Sequence, residues 1–319
     1  MLIGPAIAEM RRDGNVQRRA QAEMIAAGDA WRRQPAVAAV LPDMERYGAG
    51  APLADCPALT RTFGAGDEAI ALTSSMTRLF ATELARNRFG QLPFRHGFDG
   101  QVSTLLLARN ERAQLILHAR EPGAWAYATA GFSHAERHDV ILAGEGEGML
   151  VSRDPVSGGL ASSSVMLKGG ARRSLDLACE VLQVSRVSRR LVSLRLHRFG
   201  AAPEPSREYR LDDGVLVHQS AGEIRASRQE MMLALLGRMR CAEAAPVMAA
   251  IAAEPNDASL RWQALRECIA LDTAEGFRAL CALARTDNDP LAAAAGALRA
   301  QLVETHPRLV ALEDGRCPA

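Results

Sequence analysis

The sequence predicts an α+β chain in three parts: an N-terminal helical arm (1–95), a β-domain (96–226) and an all-α helical-repeat domain (227–319). Three observations predict it. Hydrophobic side chains recur with helical spacing up to about residue 95. From Gln101 their period becomes two, and β-like segments follow one another about 8–12 residues apart with no helix between them, which excludes a βαβ fold. Beyond Ser227 the period is helical again, and Ala242–Leu260 overlays Thr273–Leu291 with one fixed offset, the mark of an internal repeat.

In the arm, Asn15–Arg33 and Asp67–Arg88 read as helices. Leu72, Met76, Leu79, Phe80 and Leu84 make one apolar stripe on the second. Between them Tyr47–Gly66 is rich in Pro, Gly and Ala and reads as irregular chain.

The β-domain starts with Gln101–Ala108 and Ala113–Arg120, joined by the polar connection Arg109–Arg112. Ala124–Ala130, Asp139–Ala143 and Gly148–Arg153 follow, with Gly144-Glu-Gly-Glu-Gly148 read as a turn. A Gly/Ser loop over Ser157–Ser164 precedes Ser164–Lys168, Ser174–Ala178, Val181–Val187 and Arg190–Arg198. Arg207–Leu211 and Val215–Gln219 form a hairpin through Asp212-Asp213-Gly214.

Ser227-Arg-Gln-Glu230 has the form of a capping box, placing Ser227 at a helix N-cap. Asp272 with Glu275 is a second such box. Asp289-Pro290 suits an N-cap followed by proline at the first helical position. These helix pairs resemble HEAT-type repeats over 228–305; such solenoids mostly hold proteins or peptides on an extended surface, although short ones can simply cap a neighbouring domain.

Composition excludes several functions. There are 38 basic against 37 acidic residues, a net charge of +1, so phosphate neutralisation along nucleic acid is not the expected role. Lys168 is the only lysine and is followed by Gly169, which removes a P-loop and limits Schiff-base chemistry to one residue. No apolar run reaches the roughly 18 residues of a membrane span, and MLIGPAIAEMRRDG lacks an export signal, so a cytoplasmic protein is expected. Cys56, Cys179, Cys241, Cys268, Cys281 and Cys317 never form C-x-x-C and read as reduced thiols. Gly131-Phe-Ser133-His-Ala135 imitates a nucleophile elbow, yet a strand rather than a helix is expected after it.

The densest chemistry lies in Phe132-Ser-His134-Ala-Glu136-Arg-His138-Asp139, ahead of an apolar strand and the G-E-G-E-G stretch. This resembles the first conserved motif of the cupins, and the resemblance implies a cupin-like double-stranded β-helix (jelly roll) in which imidazoles and a carboxylate hold Fe(II) or a similar ion. Phe132 stands where the motif's first histidine belongs and His138 where its glutamate belongs. The region of the second motif, Leu167–Leu177, has no histidine. His134-Ala-Glu136 with the distant His197 and Arg207 also resembles the Fe(II)/2-oxoglutarate oxygenases. That resemblance implies His134, Glu136 and His197 as metal ligands, His138 in reserve, and Arg207 clamping the 2-oxoglutarate carboxylate. In Val192–Arg198, however, His197 shares its face with Ser193 and Arg195, opposite Val192, Leu194 and Leu196. Trp125 and Tyr127 alternate with small residues, as core or as the lining of a ligand cavity. His118 and His218 read as structural, and the arginines of 172–198 as a solvated strand face.

Two functions follow. One is a non-haem iron oxygenase acting on a peptide or small molecule. The other is a metal-free cupin-like ligand-binding or scaffolding protein that docks a protein partner through its repeats. Neither involves nucleic acid or membrane, and a homodimer is compatible with both.

Overall fold

The computed structural model describes residues 12–201, 204–222 and 224–313, so Cys317 and the opening segment fall outside the described residues. The chain divides into two units. One runs to Ala202 and takes in Arg207–His218; the other comprises Pro203–Ser206 and Gln219–Ala319. Among the described residues no helix is long and apolar enough to cross a membrane.

The first unit opens with α1 (Val16–Arg32), α2 (Pro35–Ala49), α3 (Pro57–Phe63) and α4 (Glu68–Arg86). In α1, Ala20, Met24, Ala27 and Trp31 are buried at spacings of three and four; in α4 so are Leu72, Met76 and Phe80, while Leu84 is exposed. The expected irregular stretch Tyr47–Gly66 is largely helical. Pro42 is tolerated inside α2, Gly50 closes that helix at φ +119°, and α3 begins on Pro57, whose missing N–H costs nothing at a helix start. Asp43 organises this corner: its buried Oδ2 accepts hydrogen bonds from Ala58 N at 2.6 Å and Leu59 N at 3.2 Å, capping α3 from another helix.

The strands are β1 (Arg95–Phe98), β2 (Val102–Arg109), β3 (Ala113–Arg120), β4 (Gly123–Ala124), β5 (Thr129–Phe132), β6 (Ala135–Arg153), β7 (Leu160–Lys168), β8 (Arg172–Asp176), β9 (Glu180–Phe199), β10 (Ser206–Arg210) and β11 (Leu216–Ser220). One sheet has the order β1-β2-β3-β9-β6-β7, with β4 paired to β9 and β8 to β6; a second has the order β11-β10-β5. These strand pairs are antiparallel: β1 with β2, β2 with β3, β3 with β9, β4 with β9, β6 with β7, β8 and β9, and β10 with β5. The expected series of short strands is instead organised by two long ones: Asp139–Ala143 and Gly148–Arg153 belong to β6, and Val181–Val187 and Arg190–Arg198 to β9. Gly144–Gly148 is no turn. It lies within β6, where the register against β9 shifts repeatedly between Ile141 and Gly148. Gly144 has φ +93°, and a Cβ there would stand 2.0 Å from the Arg190 carbonyl oxygen. Bulges of this kind bend a strand without ending it.

Leu194, Leu196, Val140, Leu115 and Leu107 of this sheet share one core with Met24, Trp31, Val40, Met44, Tyr47, Leu59, Leu72 and Phe80 of the helices. The Asn110 carboxamide of the β2–β3 connection donates to the Met44 carbonyl and accepts from Ala113 N at 2.7 Å. Gly48 leaves the space it occupies, since a Cβ there would collide with the Asn110 amide.

The second unit contains α5 (Ile224–Arg238), α6 (Ala245–Ala253), α7 (Ala258–Leu271), α8 (Thr273–Ala284), α9 (Ala292–Thr305) and α10 (Val310–Glu313). Their core holds Met248, Leu260, Leu265, Cys268, Phe277 and Leu280. α6 and α8 start within a few residues of the corresponding points of the internal overlay. Ser227 lies inside the first turn of α5 rather than at its cap. Asp272 caps α8 through Glu275 N at 3.0 Å. α9 begins at Ala292, two residues beyond the expected Asp289-Pro290 start; Asp289 Oδ1 still accepts from Leu291 N at 2.9 Å, while its Oδ2 lies 2.6 Å from Arg261 Nη2. Cys56, Cys179, Cys241, Cys268 and Cys281 are free thiols.

Candidate functional site

A cavity of about 470 Å³ opens where β6 begins and β9 ends. Arg112, His134, Glu136, His138, Ser174, Asp176 and Arg198 are among its lining residues. The antiparallel pairing explains the grouping. Glu136 stands opposite Arg198 of β9 and Asp176 of β8, while His138 stands opposite Ser174. Residues directly opposite in a ladder share a face, and Glu136 and His138, two apart, share it too.

The polar groups here are largely committed to one another. Arg198 Nη2 lies 2.6 Å from Glu136 Oε1, and its Nη1 donates to the carbonyls of Tyr47 at 2.8 Å and Ala51 at 2.6 Å. Its guanidinium also stacks 4.1 Å above the Tyr47 ring, binding the end of α2 to the sheet. Burial and the nearby Glu136 carboxylate push the Tyr47 phenol far up, so it stays protonated. His138 Nδ1 lies 2.8 Å from Ser174 Oγ, and its Nε2 is buried without a hydrogen-bond partner among the described residues. The ring sits 6.2 Å from that of Tyr47 and 6.3 Å from that of Phe63. Burial lowers its pKa and favours the neutral imidazole. Arg112 Nε donates to the Phe199 carbonyl, and Asp176 Oδ1 accepts from Ala178 N.

Thus His134, Glu136 and His138 come together, and His197 does not join them. It stands opposite Arg137, on the other side of the sheet from Glu136 and His138. There Asp139 Oδ2 lies 2.9 Å from Arg137 Nε, Asp139 Oδ1 lies 2.7 Å from Arg195 Nε, and Arg195 Nη1 lies 3.4 Å from His118 Nε2. Arg207 stands on β10 opposite Phe132 and is not among the residues that line the cavity. Trp125 packs on a small core with Ile141, Leu167, Val187 and Leu191, under the Arg120 guanidinium at 4.7 Å. Tyr127 donates from its hydroxyl to the Val184 carbonyl at 3.0 Å.

The donor set does not fit the Fe(II) centre that the sequence resemblance implies. The Glu136 carboxylate is neutralised by Arg198, and one His138 nitrogen faces Ser174. Among the described residues no group of three His, Cys, Asp or Glu side chains is placed to hold a metal ion. Ser174, Asp176, Arg198 and Arg112 escape the sequence reading because strand pairing over long separations brings them in. The one available signal was the alternation that puts Arg198 on the face opposite His197.

Comparison with family models finds no match, and no curated protein matches the chain. Among solved structures it is similar to a cupin superfamily protein from Desulfitobacterium hafniense, with 14% identity over 33% of this chain and 83% of that one at a TM-score of 0.24. It is also similar to vicilin from Corylus avellana, with 14% identity over 36% and 32% of the two chains at 0.28. A mutant oxalate decarboxylase from Bacillus subtilis gives 10% identity over 34% and 28% at 0.27.

Proposed function

We propose that this is a metal-independent, cupin-like ligand-binding protein whose ligand is a small polar molecule held in the cavity at the start of β6. One observation carries the reading: the residues that resemble a metal motif do line one cavity, yet Arg198 and Ser174 already occupy Glu136 and His138. What the cavity offers a ligand is Arg112, Asp176 and the second oxygen of Glu136, a mixture of donors and acceptors suited to hydroxyl or amide groups. The oxygenase reading requires Glu136 and His197 on one side of the sheet, and the register separates them.

In the second unit, Met231, Met232, Leu235 and Met239 are exposed on or just beyond α5. They support the HEAT-like reading of the helix pairs, with a protein partner seated on an apolar helix face. A cytoplasmic location and a homodimer remain part of this proposal.

The deciding experiment is metal analysis of tag-free protein after anaerobic reconstitution with Fe(II), on wild type and His134→Ala. The expected result is no stoichiometric iron in either. Near-stoichiometric iron lost in His134→Ala overturns the reading. A thermal-shift screen of small polyols, sugars and amides then identifies the ligand class through a shift that Asp176→Asn removes.

A further inference from the structure

The other face of the same two strands carries a charge arrangement that the cavity does not use. Asp139 is 5% exposed and Arg137 9% exposed. Two guanidiniums, Arg137 and Arg195, flank this single carboxylate. The positive groups that act on His118 are Arg195, Arg137 and Arg120, and the one negative group is Asp139. Around His197 they are Arg195 and Arg137, again against Asp139 alone. Arg173 of β8 stands opposite Asp139 in the register and adds a further cation to this row. Burial and these arginines hold His118 down to about 3 and His197 to about 4, so both imidazoles are neutral at pH 7 and leave the excess of guanidinium charge unchanged. The His197 Nε2 is buried with no hydrogen-bond partner among the described residues.

Burying a charge is costly unless an opposite charge meets it, so a buried group with more guanidiniums than carboxylates is short of an anion. The shortage is local: Arg195 retains 24% side-chain exposure, which leaves the group a route to solvent. Asp139 itself disfavours a dianion. A planar monoanion meets a guanidinium through two parallel hydrogen bonds, and neutral imidazole nitrogens can donate to its remaining lone pairs.

We propose that the sheet face bearing Arg137, Arg195, His118 and His197 is a binding site for a small carboxylate monoanion, with Arg137 the principal recognition group. The site is separate from the cavity, on the opposite side of β6, and stands whether or not the cavity binds the ligand proposed above.

The test uses the full chain. Thermal shift and isothermal titration with acetate and lactate, against chloride and phosphate at equal ionic strength, should show saturable stabilisation by the carboxylates alone. Arg137→Gln leaves Asp139 paired one-to-one with Arg195, so the variant should fold and lose the response. Asp139→Asn enlarges the positive excess and should tighten carboxylate binding about tenfold. Arg112→Gln, in the cavity, should leave the response intact. Hydrogen exchange on wild type gives a measurement that needs no variant: carboxylate should protect 135–141 and 191–198. A response equal for chloride, or confined to phosphate, or retained in Arg137→Gln, or absent from those peptides, overturns the proposal.

Discussion

Arg198 is the residue whose removal says most about how the first unit holds together. Its guanidinium satisfies the Tyr47 and Ala51 carbonyls at the end of α2, pairs with Glu136 and covers the Tyr47 ring, with only 15% of its side chain exposed. Arg198→Met keeps the aliphatic stem and deletes all four interactions. A hydrogen bond to a charged group contributes about 1.5–3 kcal/mol and a desolvated cation–π contact about 2 kcal/mol, but these terms are not additive. Removing one partner of a buried ion pair costs about 3–5 kcal/mol as a whole, and Glu136, 35% exposed, can regain water and lower that. The expected loss is therefore about 3 kcal/mol, concentrated where α2 meets the sheet. Arg198→Lys should recover less than half of it, because one ammonium cannot span two carbonyls and a carboxylate on different elements. Hydrogen exchange of peptides covering 40–60 and 194–199 reads the effect directly. A protection loss worth less than about 1 kcal/mol in Arg198→Met, or full rescue by lysine, refutes the account.

Other expectations are more local. Gly144→Ala places a Cβ against the Arg190 carbonyl at a left-handed φ and should cost more than about 2 kcal/mol in urea unfolding; a neutral result means the β6 bulge relaxes freely. Arg261, 5% exposed, donates from Nε to Ala252 O at 2.9 Å and pairs with Asp289, so Arg261→Met should destabilise the helical unit by about 3 kcal/mol, and Asp289→Asn somewhat less, by circular dichroism melts. Burial, then the neighbouring arginines, depresses the folded pKa of His118 and His197 below the ordinary 6.5 of the unfolded chain. The unfolded state thus binds protons first as pH falls, and stability present above pH 6.5 is lost towards pH 4, at most about 1.4 kcal/mol per pH unit for each imidazole. A urea midpoint that holds from pH 7 to pH 5, or imidazole resonances titrating near 6.5, would contradict this.

What was legible in the sequence, and what was not, follows from the range of the forces involved. β3 is read correctly to the residue as Ala113–Arg120, because strict alternation beside a short polar connection is a local signal. The long strands are not, because Gly144, Gly146 and Gly148 look like punctuation. Their role in β6 is close approach to β9: Cβ atoms there would strike the Arg190, Arg186 and Gln183 carbonyl oxygens or side chains beside them. That reason belongs to a partner strand more than thirty residues away. The helices over Tyr47–Gly66 were hidden for a similar reason. Asp43 supplies the cap for α3, whereas helix-start patterns seek a capping residue next to the helix.

The candidate site divides along the same line. Glu136 and His138 share a face because a period of two keeps alternate strand positions together, which the sequence displays, and His134 joins them from the bend just before β6. The link from Glu136 to His197 depended on register, and a shift of one residue changes which side chains share a face. With Glu136 opposite Arg198 rather than His197, the carboxylate that could have served a metal meets a guanidinium, and His197 joins Arg137, Asp139 and Arg195 across the sheet. One pairing choice thus accounts for both chemistries: a nearly neutral cavity on the helix side and a cation-rich cluster on the other. Any change that slipped β9 by one residue would exchange the two sets and bury Arg198 among the side chains now surrounding His197, so the ladder itself holds the two faces apart.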